Sequence, residues 1–153
     1  MHKKNIDVVV LSIGSPLKVG IYSDSLLIQE IVKEGKSSDV LPLVFRDIIH
    51  NYKISRVFYA KGPGSFMSIK IAYVFLKSFC ILKKIKLFAS DAFIFNNNTP
   101  IKSVGKSFFI KNPNGISIEK IENYTMSEFV LPKKLDLSKF SEDSRPMYIA
   151  PAV

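Results

Sequence analysis

Apolar residues come in short runs and alternations through the first third of the chain, then shift to a helical spacing. Asp7 to Ile13 is an apolar, β-branched run closed by Gly14-Ser15-Pro16, which predicts a buried strand and a turn. Lys18 to Tyr22 alternates around Val19 and Ile21, Ser23-Asp24-Ser25 makes a second turn, and Leu26 to Val32 is a third strand-like run. Three strands on short turns predict an antiparallel meander. Gly35 to Asp39 breaks the pattern. Ser38 or Asp39 can cap a helix, and Pro42 falls in its first turn, where a missing N–H costs little. Apolar residues at 40, 41, 44, 45, 48, 49 and 52 predict that helix as far as Tyr52. Ser55 to Ala60 reads as a strand, Lys61 to Phe66 as a loop, and the stretch from Ser65 to Lys84 as a long helix. Ile85 to Ala89 reads as a further strand, and Ser90 to Phe95 as a short helical turn.

After Asn96-Asn97-Asn98-Thr99-Pro100 the character changes. Phe108-Phe109-Ile110 and Ile116-Ser117-Ile118, joined through Asn112-Pro113-Asn114-Gly115, predict a hairpin. Residues 122–146 are polar and irregular, with one helical segment expected at Leu135 to Phe140 and a last strand at Met147 to Pro151. The order β-β-β-α-β-α-β followed by an appendix predicts an α/β fold on the ribonuclease-H-like plan. The actin, hexokinase and sugar-kinase (ASKHA) superfamily is built on that plan, its crossovers right-handed. The expected division is a ribonuclease-H-like domain at 1–96 and a reduced C-terminal domain with a hairpin at 97–153.

Composition narrows the class. The chain has 153 residues, 47% apolar and 23% charged, with mean hydropathy +0.17. That balance excludes a wholly disordered chain, and the length suits one domain with a real core. A single cysteine, Cys80, excludes an internal disulfide framework and a cysteine-rich zinc site. The basic start Met1-His2-Lys3-Lys4 is interrupted by Asp7 and followed by too short an apolar run for a signal sequence. No stretch approaches the roughly 20 apolar residues of a spanning helix. A cytoplasmic protein without membrane contact is therefore expected. The net charge of +9 admits a nucleic-acid partner. The 19 lysines against 3 arginines, with 19 isoleucines, read instead as the bias of an A/T-rich coding sequence. The lysines are spread along the chain and not clustered.

One motif carries information. Gly62-Pro63-Gly64-Ser65-Phe66 stands between a strand and a helix, where free N–H groups and glycines allow close approach of an anion or a partner. Ser65 could cap the helix. The motif is neither a dinucleotide fingerprint, since Met67 stands at the third glycine, nor a P-loop, since no Gly-Lys-Ser/Thr follows. The stretch Ala60-Lys61-Gly62-Pro63-Gly64-Ser65-Phe66-Met67-Ser68-Ile69-Lys70-Ile71-Ala72 resembles the signature of the TsaB (YeaZ) family. Upstream, Ser38-Asp39-Val40-Leu41-Pro42-Leu43-Val44 resembles that family's first helix start. Downstream, Leu87-Phe88-Ala89-Ser90-Asp91-Ala92 and Arg145-Pro146-Met147-Tyr148-Ile149 resemble two further segments. The sequence departs from the pattern at Met67, Ser68, Lys70 and Ala72. It also ends its first strand Leu11-Ser12-Ile13-Gly14-Ser15, without the family's aspartate.

The resemblance implies a non-catalytic scaffold subunit for threonylcarbamoyladenosine (t6A) modification of tRNA beside the anticodon. Its implied partners are a catalytic TsaD-like threonylcarbamoyltransferase, a small TsaE-like ATPase and, through the complex, tRNA; alone, the chain could form a homodimer. No cofactor is expected to be bound firmly, with ATP or ADP confined to the interface of the complex. The loop Gly62 to Phe66 is the expected nucleotide or partner contact. The resemblance also implies that the two helices pair with two helices of the partner. Helical geometry adds that the second helix is apolar on two faces, one with Ile71, Phe75 and Leu82 and the other with Ile69, Tyr73, Leu76 and Cys80. A helix on a sheet needs one apolar face, so the second asks for a neighbour. The expected interface is Val40, Leu43 and Asp47 of the first helix with Ile69, Tyr73 and Leu76 of the second.

Other residues read as structural. Cys80 fits the core, and His50 favours the end of the first helix. Asp39, Asp47 and Asp91 form no carboxylate pair, no metal site is expected, and no nucleophile–base set stands out. Two alternatives follow from the same residues: a nucleotide-binding enzyme of the actin and sugar-kinase class, which needs metal-holding carboxylates, and a stand-alone basic RNA-binding module.

Overall fold

The computed structural model describes residues 2–149. The β-branched run at the start forms β1 (Lys4–Leu11), antiparallel to β2 (Leu17–Ser23), which pairs antiparallel with β3 (Leu26–Lys33). Helix α1 (Ser37–Asn51) then crosses to β4 (Tyr52–Ala60), parallel to β1, and α2 (Phe66–Lys83) crosses to β5 (Lys86–Ser90), parallel to β4. The strand order is β3-β2-β1-β4-β5. This is a mixed α/β sheet whose antiparallel half is the predicted meander and whose parallel half comes from two crossover helices.

The parallel ladder lengthens two strands beyond their apolar runs. Lys4 pairs with Tyr52 and Asn5 with Lys53, so β4 begins directly where α1 ends, three residues before Ser55. Alternating side chains of β4 serve opposite layers. Tyr59 stacks on Tyr73 of α2 at 6.2 Å, while Phe58 meets Phe140 edge-on at 4.9 Å. On the helical layer, Phe45 of α1 packs edge-on against Phe75 and Phe79 of α2, at 5.3 and 5.0 Å.

Capping differs from the expectation. Helix α1 starts two residues early, with Lys36 at the N-cap and no side-chain cap, so neither Ser38 nor Asp39 caps it. Pro42 is then the sixth helical residue, past the first turn. The start is tied down by Ser37 instead, whose hydroxyl meets Ser12 Oγ at 2.6 Å. At the far end His50 lies exposed in the last turn.

Beyond Asn98 a second, three-stranded sheet forms from β6 (Ile101–Lys102), β7 (Ser107–Asn112) and β8 (Gly115–Lys120). The hairpin is the predicted one; the two-residue β6 carries no sequence signal of its own. Two 3-10 turns occur within the predicted helical segments, Ala92–Phe95 and Leu137–Lys139, capped by the carboxylates of Asp91 and Asp136. Met147 to Ile149 form no strand; Met147 N–H donates to Lys61 O at 2.8 Å without a ladder, and Ala150 and Pro151 lie outside the described residues.

The irregular segment from Phe129 to Phe140 covers the sheet face opposite the helices. Lys18 Nζ donates to Phe129 O at 2.7 Å, Tyr22 Oη to Pro132 O at 2.6 Å, and Leu27 N–H to Lys133 O at 2.9 Å. Leu131 and Leu135 are buried, and one hydrophobic cluster joins them to the sheet, both helices, Ile101 and Phe109. Burial pushes the phenol pKa values of Tyr22 and Tyr59 up, and it raises the Cys80 thiol to about 11. Among the described residues no helix is long and apolar enough to cross a membrane.

Candidate functional site

The loop between β4 and α2 is held by backbone bonds on three sides. Lys61 N–H donates to Ser90 O at 2.9 Å, Ala92 N–H to Gly62 O at 2.7 Å, and Ser65 N–H to Ile13 O at 2.9 Å. Two glycines make this possible for different reasons. Gly62 sits at φ +121°, open mainly to glycine. Gly64 lies so close to the end of β1 that a Cβ would stand 2.2 Å from Ile13 Cγ2 and 2.9 Å from Ile13 O. The close approach explains why the motif needs glycine at position 64.

Gly64→Ala is expected to push the loop off β1 and cost about 2 kcal/mol, as overpacking does. That corresponds to a melting temperature lower by about 4–8 °C for a chain of this size. Gly14→Ala, where nothing lies within 4 Å of the added carbon, is the control and should melt like the wild type. Equal melting of the two variants in a thermal scan would show that the loop yields freely.

Ser65 holds the N-cap position of α2 but does not cap it through its side chain; its hydroxyl donates to Ser68 Oγ at 3.3 Å. Gly62 and Pro63 are buried, Gly64 is half-buried, and Ser65 and Phe66 are exposed. Phe66 packs edge-on against Tyr148 at 5.1 Å, and Tyr59 Oη donates to Ser144 O, which fastens the C-terminal segment beside the loop.

The loop forms one wall of a cavity of about 490 Å³. Ile13, Pro63 and Phe66 line it together with Phe109, Phe129 and Tyr148. The second half of the chain supplies the opposite wall, which nothing in its polar, irregular sequence announces. Lys102, Ser65 and Ser103 are polar members of the lining, and no carboxylate is among them. Among the described residues no group of three or more His, Cys, Asp or Glu could hold a metal ion. Such a lining suits an apolar or aromatic surface; it has no carboxylate to serve as a metal ligand or general base.

The interface expected on the helices is only partly at the surface. Leu43, 52% exposed, and Asp47 project from α1, and Val40 and Tyr73 are half-buried. Ile69 and Leu76 are the correction: at 1% and 0% exposure they are core residues under the helix and cannot touch a partner. With Ala72 and Cys80 they form the face that α2 lays on the sheet. The outward stripe is Met67, Val74 and Ile81, one residue in seven, with Leu82 beside it. That spacing was the available signal, masked because almost every side of α2 is apolar.

No family model matches the sequence, and no curated protein matches it. Solved structures do. YeaZ from Pseudomonas aeruginosa superposes with a TM-score of 0.60 over 76% of this chain and 65% of that one, at 9% identity. A structure described as an uncharacterized protein with similarity to peptidase YEAZ from Pseudomonas aeruginosa gives 0.58 over 76% and 64%, also at 9% identity. The chain therefore has the fold of these YeaZ structures and spans just under two thirds of their length.

Proposed function

We propose that this chain is a TsaB (YeaZ)-type scaffold: a non-catalytic subunit that dimerises with a TsaD-like threonylcarbamoyltransferase for t6A modification of tRNA, in the cytoplasm. On this reading its sheet is the ribonuclease-H-like sheet of the actin and sugar-kinase superfamily. The TsaE-like ATPase and tRNA join through the complex, and ATP or ADP binds at its interface. The observation that carries the reading is the uncovered apolar stripe Met67, Val74, Ile81 and Leu82, 54–81% exposed on α2 of a YeaZ fold, together with an exposed Leu43 on α1. An apolar stripe on both sides of one helix is the pattern of a helix buried on both sides. The loop Gly62 to Phe66 supports it by anchoring the start of that helix to Ile13, just past the end of β1.

Co-expression with the same organism's TsaD-like homologue should yield a 1:1 complex on size exclusion, and the complex should modify tRNA. Leu43→Glu with Val74→Glu should keep the wild-type melting temperature, since both side chains face solvent, and weaken association at least tenfold, as loss of a central interface residue does. Full-strength association by a folded double variant would place the interface elsewhere. A homodimer that the double variant splits, with no affinity for the homologue, would reassign the same face to self-association.

A further inference from the structure

The end of the sheet remote from the glycine loop carries a second groove, of about 710 Å³. His2, Lys3, Lys53, Lys83 and Lys84 line it, and no carboxylate does. These residues come from the chain start, the start of β4 and the end of α2, gathered because β1 pairs with β4 in parallel and α2 ends above them. None of the four lysines takes part in an ion pair among the described residues. Lys3 Nζ donates to Ile49 O at 2.7 Å, so part of the charge answers the carbonyl end of α1. Two helix C-termini supply about one negative charge between them. Four ammonium groups exceed that by about three charges, far more than helix capping requires.

The groove is not a bare charged surface. Tyr52 and Phe79, both half-buried, stand within it and present ring surface among the lysines. Cationic rims around aromatic faces are what a single-stranded nucleic acid meets: phosphates on the ammonium groups and bases against the rings. Phe79 already packs edge-on against Phe45, and a peptide of acidic residues alone would use the charge but leave the accessible part of both rings uncovered. We infer that this lysine groove between the ends of α1 and α2 binds the phosphodiester backbone of a single-stranded RNA. The inference is independent of the scaffold reading, since the groove lies at the other end of the sheet from the glycine loop.

Four phosphate contacts to a single strand make the affinity fall about 50-fold from 50 to 200 mM salt. The test is fluorescence anisotropy of the full chain with a labelled single-stranded RNA of mixed sequence. Lys53→Glu, Lys83→Glu and Lys84→Glu together should weaken binding more than tenfold and make the logarithmic salt slope shallower by about 2. A control triple, Lys33→Glu, Lys36→Glu and Lys120→Glu, changes net charge equally on exposed residues outside the groove and should lose far less. Should the glutamate triple lower the melting temperature, the glutamine triple at the same positions gives the same ordering with less repulsion. Equal losses in groove and control variants would reduce the binding to net charge and overturn the site. Poly-glutamate displacing the RNA at equal charge concentration would overturn the nucleic-acid assignment.

Discussion

Phe45→Ala should lower the unfolding free energy by about 4 kcal/mol, the range for deleting a buried phenyl ring. Phe45 is 1% exposed and makes edge-on contacts with both Phe75 and Phe79. It is the point at which α1 is fixed to α2, and edge-on aromatic pairs add to simple area burial. Urea denaturation measures the loss, and the midpoint should fall without a change in slope. The same change should loosen the angle between the two helices, so association through their outer face should suffer even though Phe45 touches no partner. A loss under about 1.5 kcal/mol would mean that Phe75 and Phe79 close the cavity and that the helix pair tolerates repacking.

Arg56→Ala is expected to cost about 2 kcal/mol, less than breaking a fully buried ion pair because only the Asp7 half is buried. Arg56 holds Asp7 with two parallel bonds, Nε to Oδ1 at 3.0 Å and Nη2 to Oδ2 at 2.7 Å. The Asp7 side chain is only 8% exposed, while that of Arg56 is 41% exposed. Removing the arginine therefore strands a carboxylate in the middle of the sheet, between β1 and β4. The hydrogen bond to Asp7 also pushes the Arg56 pKa further up, so this partner stays charged at any ordinary pH. The double variant Asp7→Val with Arg56→Leu should recover at least half of the lost stability, because no unpaired charge remains. If the double variant is less stable than Arg56→Ala alone, the pair has a packing role that apolar residues do not replace.

Much of the architecture was legible because local pattern and local structure agree. The β-branched runs became β1 to β3, the 3.6-residue spacing became α1, and Asn112 to Gly115 became the hairpin turn. The glycine loop was legible as a strand-to-helix junction, and the need for glycine at 64 follows from its distance to Ile13. The orientation of α2 was not legible. Met67, Ile69, Val74, Leu76 and Ile81 are all apolar, so periodicity offers no unique buried face and does not separate the buried Ile69 and Leu76 from the exposed Met67, Val74 and Ile81.

The sequence alone determines the order and type of the principal elements and the place of the glycine loop, since hydrophobic period and turn chemistry act over a few neighbouring residues. Tertiary structure decides everything that joins distant positions. It turns the Ile69 and Leu76 face of α2 onto the sheet, because that face stacks Tyr73 on Tyr59 and Phe75 and Phe79 on Phe45. It draws the polar stretch after Phe129 across the sheet through bonds to Lys18, Tyr22 and Leu27, more than 100 residues upstream. It also gathers Lys3, Lys53, Lys83 and Lys84, scattered in sequence, into one groove. Like charges so far apart along the chain leave no local pattern; a parallel strand pair and a helix end bring them together.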